Sequence, residues 1–345
     1  MTRIRCSPSR LAIVAAVGAA AGLGVAARAA RRWDRTVDPG GGGLADAPGL
    51  HHDWVTSEDG ARIAVTVVAP DDAADTQTSG HGRHVVLAHG WTNDRRVWEP
   101  VARRLASSGH HVVLYDQRGH GASTVGSSGF TLEALAADLC AVVDQLDLDE
   151  AVVAGHSMGG MAAQVMVTTR PAVAARRVGA LVLVATACAR IGTGRAAADR
   201  LARRVIAHQR VERAMTARRL SPFLVRRTFG RTVCRAQLDA VCEMFVATPA
   251  DVRADALTAM AALDLSDTLG SVALPVTVVA GSRDRLLPPA HARRITQLIP
   301  GSRLVTFEGT GHMIPLEEPD RLAQLLGEHA RHARRSRALE TQGAS

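Results

Sequence analysis

The sequence has 345 residues, 47% of them apolar and only 3% aromatic, which allows one large or two modest hydrophobic cores built from Ala, Val and Leu. The formal net charge is +8, and all 41 basic residues are Arg, because the chain contains no Lys. This composition excludes a fibrous repeat and a wholly disordered chain, and with no nucleic-acid-binding motif beside the basic charge we expect no nucleic-acid partner.

The N-terminal segment carries the pattern of an export signal or a membrane anchor. An uninterrupted run of apolar residues and Gly extends over Leu11–Ala27, with Arg residues on both sides. Its length is at the short end of the about 17–25 residues that cross a bilayer as a helix. We expect residues 1–35 to be a single-pass membrane anchor, or a signal peptide if the segment is cleaved and the protein is secreted. Residues 36–50, which include Pro39–Gly43, then form a flexible linker.

Short β-branched runs alternate with helical patterns through most of the remaining chain. Two runs around a Ser-Glu-Asp-Gly turn, Asp53–Thr56 and Ile63–Val68, predict an opening hairpin. Further buried strands are predicted at Val85–Ala88, Val112–Tyr115, Ala151–Ala154, Leu181–Ala185, Val276–Ala280 and Leu304–Phe307. Helices are predicted at Pro100–Ser107, Thr131–Leu146, Met158–Thr169, Ala290–Ile299 and Glu318–His332. Such alternation predicts an α/β fold with a mainly parallel, doubly wound sheet.

One segment interrupts this alternation. Residues 188–264 have several helical stretches and no strong strand pattern, and they lie between two predicted sheet strands. We therefore expect a helical cap here, inserted into a core of residues 51–187 and 265–333, with a C-terminal tail at 334–345. The cap is rich in Arg between Arg200 and Arg231. A solvated helical surface and a membrane-facing surface both accommodate that charge.

A Gly-rich turn separates one predicted strand from the helix after it. It reads Gly155-His156-Ser157-Met158-Gly159-Gly160. A turn this sharp crowds the backbone at its central residue, and small residues two positions before and after relieve the crowding. The Ser157 hydroxyl would lie clear of the sheet, at a helix N-terminus that stabilises developing negative charge. An ordinary Gly-rich turn with Ser as a helix cap is the alternative, but the strand–turn–helix setting favours Ser157 as a nucleophile.

A Ser hydroxyl needs a base, and the base needs an acid that orients it. His312 follows the last predicted strand in a Gly-Thr-Gly-His loop, at the same sheet edge as Ser157. Asp284 follows the preceding strand, which gives the chain order Ser, Asp, His expected for a nucleophile on such a turn. We predict Ser157, His312 and Asp284 as a catalytic triad, with Asp264 and Asp267 as fallback acids.

The negative oxygen that forms during acyl transfer needs two backbone N–H donors. Met158, directly after Ser157, is placed to supply one of them. The second is predicted in the loop after strand Val85–Ala88, where Gly90 lets the backbone approach and Trp91 carries the N–H. The residue pattern implies neither a cofactor nor a metal site.

These motifs together resemble the α/β-hydrolase superfamily, in particular its single-domain esterases, lipases and monoacylglycerol-lipase-like enzymes. The resemblance spans roughly residues 53–332 and rests on His89-Gly90-Trp91, Asp116-Gln117-Arg118-Gly119-His120-Gly121-Ala122-Ser123, Gly155-His156-Ser157-Met158-Gly159-Gly160, Gly281-Ser282-Arg283-Asp284 and Gly311-His312. It implies the α/β-hydrolase fold and the triad, whereas the Arg-rich cap matches no motif of the family. In that family the segment from Asp116 to Ser123 is structural and shapes a turn beside the site.

The predicted function is hydrolysis of a carboxylic ester through an acyl-enzyme, with a small-molecule or lipid ester as substrate. The N-terminal segment and the Arg-rich cap favour a lipid-like ester near a membrane. Two other activities of this fold use a Ser triad, and both stay open as alternatives: carbon–carbon bond hydrolysis and cofactor-free peroxidation. A non-catalytic binding protein fits the sequence less well, because all three triad residues are present.

Overall fold

The computed structural model describes residues 50–70, 84–189, 191, 196–217 and 221–343. Its strands are β1 (Leu50–Thr56), β2 (Arg62–Val68), β3 (His84–Ala88), β4 (His111–Tyr115), β5 (Ala151–His156), β6 (Val178–Val184), β7 (Val276–Gly281) and β8 (Arg303–Phe307). They form one eight-stranded sheet in the order β1-β2-β4-β3-β5-β6-β7-β8. The β1–β2 and β2–β4 pairs are antiparallel, and the other five pairs are parallel. The predicted opening hairpin and mainly parallel sheet are confirmed.

Helices cover both faces of this sheet. They are α1 (Glu99–Ser107), α2 (Leu132–Gln145), α3 (Met158–Thr169), α4 (Pro171–Arg177), α5 (Ala196–Ile206), α6 (Gln209–Thr216), α7 (Ser221–Val225), α8 (Arg235–Ala247), α9 (Ala250–Ala262), α10 (Pro289–Leu298), α11 (Ile314–Glu317) and α12 (Pro319–Gly343). Alternate strand residues enter two separate apolar clusters: Val86 and Val153 belong to one, Val85 and Val152 to the other. Burial on both faces explains why these strands are continuous apolar runs in the sequence.

Some element boundaries differ from the predicted ones. Strand β5 continues through Gly155 to His156, and β6 begins at Val178, before the predicted Leu181. Helix α12 runs to Gly343 and passes the predicted end at His332. The sequence between those two positions contains no Gly or Pro, so no residue in it stops a helix. The start of α2 is as predicted, because the Thr131 hydroxyl accepts the Ala134 N–H at 3.0 Å.

The segment between β6 and β7 contains helices α5 to α9 and no named strand among its described residues. Its two ends lie side by side, because Ala189 and Asp264 form an isolated bridge and the Leu265 N–H donates to the Cys188 carbonyl at 2.8 Å. We use the word cap for residues 188–264. The chain therefore leaves the sheet and returns to it at one place, so the cap can vary without disturbing the strands.

The predicted N-terminal anchor, residues 1–35, lies outside the described residues, and so do residues 36–49 of the predicted linker. Among the residues that are described, no helix combines the length and apolar character needed to cross a bilayer.

The segment from Asp116 to Ser123 forms a braced turn at the sheet edge. The buried Arg118 guanidinium bonds Asp59 at 2.8 Å and Asp138 at 2.7 Å, which ties the turn to β1–β2 and to α2. The Asp116 carboxylate accepts the Arg95 N–H at 2.8 Å. These contacts support a structural function of the turn, as the family resemblance implies.

Candidate active site

Ser157 occupies a strained turn between β5 and α3. Its backbone has φ 52° and ψ −113°, a conformation with positive φ that a residue other than Gly rarely adopts. A Cβ on Gly155 would lie 2.5 Å from the Gly159 backbone, and a Cβ on Gly159 would lie 2.4 Å from the Ala88 carbonyl oxygen. The Ser157 N–H donates to the Val184 carbonyl at 2.9 Å. The two glycines thus permit the close packing that holds Ser157 in this conformation.

His312 and Asp284 form a buried hydrogen-bonded pair. The His312 Nδ1–H donates to Asp284 Oδ2 at 2.7 Å. The other carboxylate oxygen, Oδ1, accepts the N–H groups of Leu286 at 2.8 Å and Leu287 at 2.9 Å. With Nδ1 protonated, the neutral imidazole leaves Nε2 as the nitrogen that can accept a proton. The pair is therefore arranged as an oriented base with a fixed tautomer.

Ser157 and His312 line the same cavity, although their side chains share no hydrogen bond here. Nucleophile–base hydrogen bonds are often long or poorly aligned until substrate binds, so the missing bond does not exclude proton transfer from Ser157 to His312. The fallback acids lie elsewhere: the Asp264 carboxylate accepts the Ser266 N–H at 3.1 Å, and Asp267 is exposed. The acid beside His312 is Asp284.

Two backbone amides lie next to Ser157 without acceptors. Neither the Trp91 N–H nor the Met158 N–H donates a hydrogen bond to another residue in the described ranges. A Cβ on Gly90 would lie 3.2 Å from the Ser157 Cβ. The loop that follows β3 can therefore approach Ser157 this closely because residue 90 is Gly. The Trp91 ring is anchored to the cap, since its Nε1–H donates to the Arg253 carbonyl at 3.0 Å. These amides are suited to stabilise a negative oxygen.

The cavity above Ser157 is small and apolar. It has a volume of about 150 Å³. Its aliphatic and aromatic lining comes from the cap and from the loops after β3, β7 and β8, with Trp91, Val211, Met215, Val225, Val241, Phe245, Leu257, Met260, Leu286, Leu287 and Met313. Only an apolar group gains free energy on entering such a space. We use the name acyl cavity for it below.

His156 holds the backbone of His312 rather than contacting the nucleophile. Its Nε2–H donates to the His312 carbonyl at 2.9 Å, and the centroids of the two rings lie 4.9 Å apart. Burial removes the solvation of the charged ring and lowers the pKa of His156 to about 3. A neutral ring here avoids placing a second cation beside His312.

Glu317 joins the loop of His312 to the cap. Its carboxylate accepts the Gly311 N–H at 3.0 Å and the Gly230 N–H at 2.6 Å. The same loop meets the cap directly, because the His312 N–H donates to the Thr228 carbonyl at 2.7 Å. Burial raises the pKa of Glu317. Sequence reasoning did not find Glu317 or the contact of His156, because the partners of both side chains are backbone groups, which a residue pattern does not show.

Comparison with known proteins places these features in context. The model of the alpha/beta hydrolase fold family matches residues 83–319. A pimeloyl-[acyl-carrier protein] methyl ester esterase from Xanthomonas campestris pv. campestris is 31% identical over 72% of this chain and 94% of its own length. A non-heme chloroperoxidase from Streptomyces lividans is 28% identical over 77% of this chain and 95% of its own. The solved structure of a thermophilic esterase from Thermogutta terrifontis is 26% identical, covers 82% of this chain and 99% of its own, and has a TM-score of 0.65.

Proposed function

Since the chain belongs to the alpha/beta hydrolase family, we propose that it is a serine hydrolase that cleaves carboxylic esters through an acyl-enzyme. The observation that carries the proposal is the 2.7 Å bond from His312 to Asp284, in a cavity that Ser157 also lines. A chance cluster would not be expected to combine an oriented imidazole, a strained serine and two amides without acceptors.

In the proposed reaction, Ser157 Oγ attacks the ester carbonyl and passes its proton to His312 Nε2. The Trp91 and Met158 N–H groups stabilise the negative oxygen of the tetrahedral intermediate. The Asp284 carboxylate stabilises the imidazolium, which then protonates the departing alcohol. Water hydrolyses the acyl-enzyme by the same steps, with His312 removing its proton.

The acyl cavity points to a substrate with an aliphatic acyl chain. Each methylene group buried there stabilises the transition state by about 0.8 kcal/mol, about fourfold in rate. We expect kcat/KM for p-nitrophenyl esters to rise from acetyl towards hexanoyl and to level off once the cavity is full, with Ser157→Ala inactive on all of them. Activity confined to acetyl would contradict a lipid-like acyl group.

Cofactor-free peroxidation is the second candidate, and the relative named a non-heme chloroperoxidase favours it. Both reactions begin with the same serine, so mutation of Ser157 does not separate them. Steady-state assays of halogenation with peroxide and of ester hydrolysis, run on one preparation, make the comparison. Halogenation that outpaces the best ester would displace the esterase proposal.

The N-terminus also enters the proposal, because Leu11–Ala27 is long and apolar enough to reach across a bilayer. We infer a single-pass membrane anchor in residues 1–35. The full chain should then stay with membranes after an alkaline carbonate wash. Recovery from the medium with a shortened N-terminus, read by mass spectrometry, would indicate a cleaved signal peptide instead.

A further inference from the structure

A second cavity, lined mainly by positively charged side chains, lies between the cap and the loop after β7. It has a volume of about 320 Å³, and its lining includes Phe229 and five arginines, namely Arg226, Arg227, Arg231, Arg283 and Arg285. We name it the arginine cavity. Four of the five arginines are exposed, and Arg226 is half-buried. The Arg226 guanidinium donates to the carbonyls of Phe229, Gly230 and Arg231 and so braces the wall of the cavity. The donors of the four exposed side chains are accessible to a ligand.

These five arginines lack the carboxylate partners that other arginines of the described chain have. Within the described part of the chain, no ion pair joins any of the five to a carboxylate, whereas Arg118 and Arg177 each bind two or more. Asp284, which lies between two of the five in sequence, is already bound to His312. Several positive charges around one cavity attract an anion, and they repel one another without it.

The walls of the arginine cavity are attached to the loop that carries His312. The Arg231 N–H donates to the Gly309 carbonyl at 2.9 Å, and the Arg283 N–H donates to the Thr310 carbonyl at 2.8 Å. Both acceptors lie within three residues before His312 in the sequence. The cavity is thus held by backbone hydrogen bonds and does not depend on free side chains for its position.

The same two segments also line the acyl cavity. Residues 225–231 contribute Val225 and Thr228 to the acyl cavity and three arginines to the arginine cavity. Residues 283–287 contribute Leu286 to the first and two arginines to the second. The two cavities are therefore neighbours, one apolar and one cationic.

We propose that the arginine cavity binds a phosphate-type oxyanion beside the ester site. A guanidinium presents two parallel N–H donors that match two oxygens of a phosphate, and it stays charged at any physiological pH. A dianionic phosphate compensates more of this charge than a single carboxylate does. The phosphate is either part of the ester or a separate ligand, and the recognition chemistry is the same in both cases.

Calorimetry with inorganic phosphate on the full chain at low ionic strength tests this proposal. The wild type should bind phosphate. The double variant Arg227→Gln/Arg231→Gln should raise Kd about tenfold or more, because two guanidinium groups, each with a pair of parallel N–H donors, are lost. Arg227→Lys/Arg231→Lys keeps the charge without the fork and should fall between the two. The control Arg204→Gln/Arg210→Gln removes the same charge from exposed positions elsewhere on the cap and should change Kd by no more than about twofold. No binding by the wild type, or equal losses in the test and control variants, would overturn the proposal.

A pair of hexanoyl esters identifies the source of the phosphate. One ester has a neutral alcohol part, and the other has an alcohol part that bears a phosphate. If the phosphate belongs to the substrate, wild-type kcat/KM favours the second ester about tenfold or more, and the preference disappears in Arg227→Gln/Arg231→Gln. Equal rates together with calorimetric binding identify a separate phosphate ligand. If neither ester is hydrolysed, the esterase proposal fails, and the calorimetry still decides the anion site.

Discussion

The Asp284 carboxylate is fully committed by its hydrogen bonds. Oδ2 accepts the His312 Nδ1–H, and Oδ1 accepts two backbone N–H groups from the following residues. The carboxylate therefore cannot turn away from the imidazole without losing two further bonds. This residue determines which nitrogen of His312 is free to accept a proton.

Asp284→Asn should lower kcat/KM by about 10⁴, because the amide keeps the backbone bonds and turns its NH₂ group towards His312, which favours the wrong tautomer. The measurement is steady-state hydrolysis of a p-nitrophenyl ester. The control is Asp267→Asn, which alters an exposed acid and should have wild-type activity. An inactive Asp267→Asn variant together with an active Asp284→Asn variant would show that Asp284 is not the acid that orients His312.

Ser157, Asp284 and His312 could be predicted because each follows a strand that the sequence makes evident, and parallel strands end at one sheet edge. Glu317 could not. It stands next to Glu318 in a Pro-Leu-Glu-Glu-Pro run, and nothing in that run shows which carboxylate turns inward. Its partners are the backbone N–H groups of two glycines, and a backbone group leaves no trace in a residue pattern.

At the scale of the elements, the loop after β8 is held between the core and the cap. Helix α11 carries Glu317, which reaches Gly311 on the loop and Gly230 on the cap. The cap is therefore attached to the segment that positions His312. A movement of the cap would be transmitted to the base.

Glu317→Ala should lower kcat by about 10- to 100-fold, because a misplacement of His312 by about 1 Å is enough for such a loss. It should also lower the free energy of unfolding by about 1–3 kcal/mol, since two N–H groups lose their acceptor. Urea unfolding and ester hydrolysis measure the two effects. Glu317→Gln should restore most of both, because one amide oxygen can accept both bonds.

The control for this experiment is Glu308→Ala, an exposed carboxylate before the same loop that should be neutral in both assays. Wild-type behaviour of Glu317→Ala would show that the carboxylate does not position the loop. A Gln variant as impaired as the Ala variant would show that charge, and not hydrogen-bond acceptance, is required.

The strands were accessible to sequence reasoning because they are buried on both faces and therefore stand out as apolar runs. The arrangement of the cap could not be predicted from the sequence. Its helices α5 and α6 expose many Arg side chains and follow no alternation with strands, so the sequence indicates helices but not how they pack over Ser157. That packing depends on single contacts, such as the bond from Trp91 Nε1–H to the Arg253 carbonyl.

At the scale of the whole molecule, three buried histidines are held neutral. His89 Nε2 accepts the Gln117 N–H at 2.9 Å, and His120 Nε2 accepts the Thr92 N–H at 3.3 Å. A protonated ring cannot accept these bonds. Burial lowers the pKa of His89 to about 4 and the pKa values of His120 and His156 to about 3.

Stability should therefore fall with acid well above the range in which carboxylates titrate. In the unfolded chain these imidazoles have a pKa of about 6.5, so below that pH the unfolded state binds protons that the folded state cannot. The free energy of unfolding should be constant above about pH 7 and then decline towards pH 4, by about 1 kcal/mol per pH unit for each histidine. Urea titrations between pH 7.5 and 4.5 measure the decline. The exposed His51→Ala should leave the profile unchanged, and a flat profile in the wild type would contradict the neutral state of the three rings.

The proposal that Ser157, His312 and Asp284 act as one unit is tested most directly by a fluorophosphonate probe, which reacts only with an activated serine. The account predicts a single label, mapped by mass spectrometry to Ser157, that is lost in Ser157→Ala, nearly lost in His312→Ala and kept in the exposed Ser128→Ala. A label on another serine, or equal labelling of the wild type and Ser157→Ala, would contradict it.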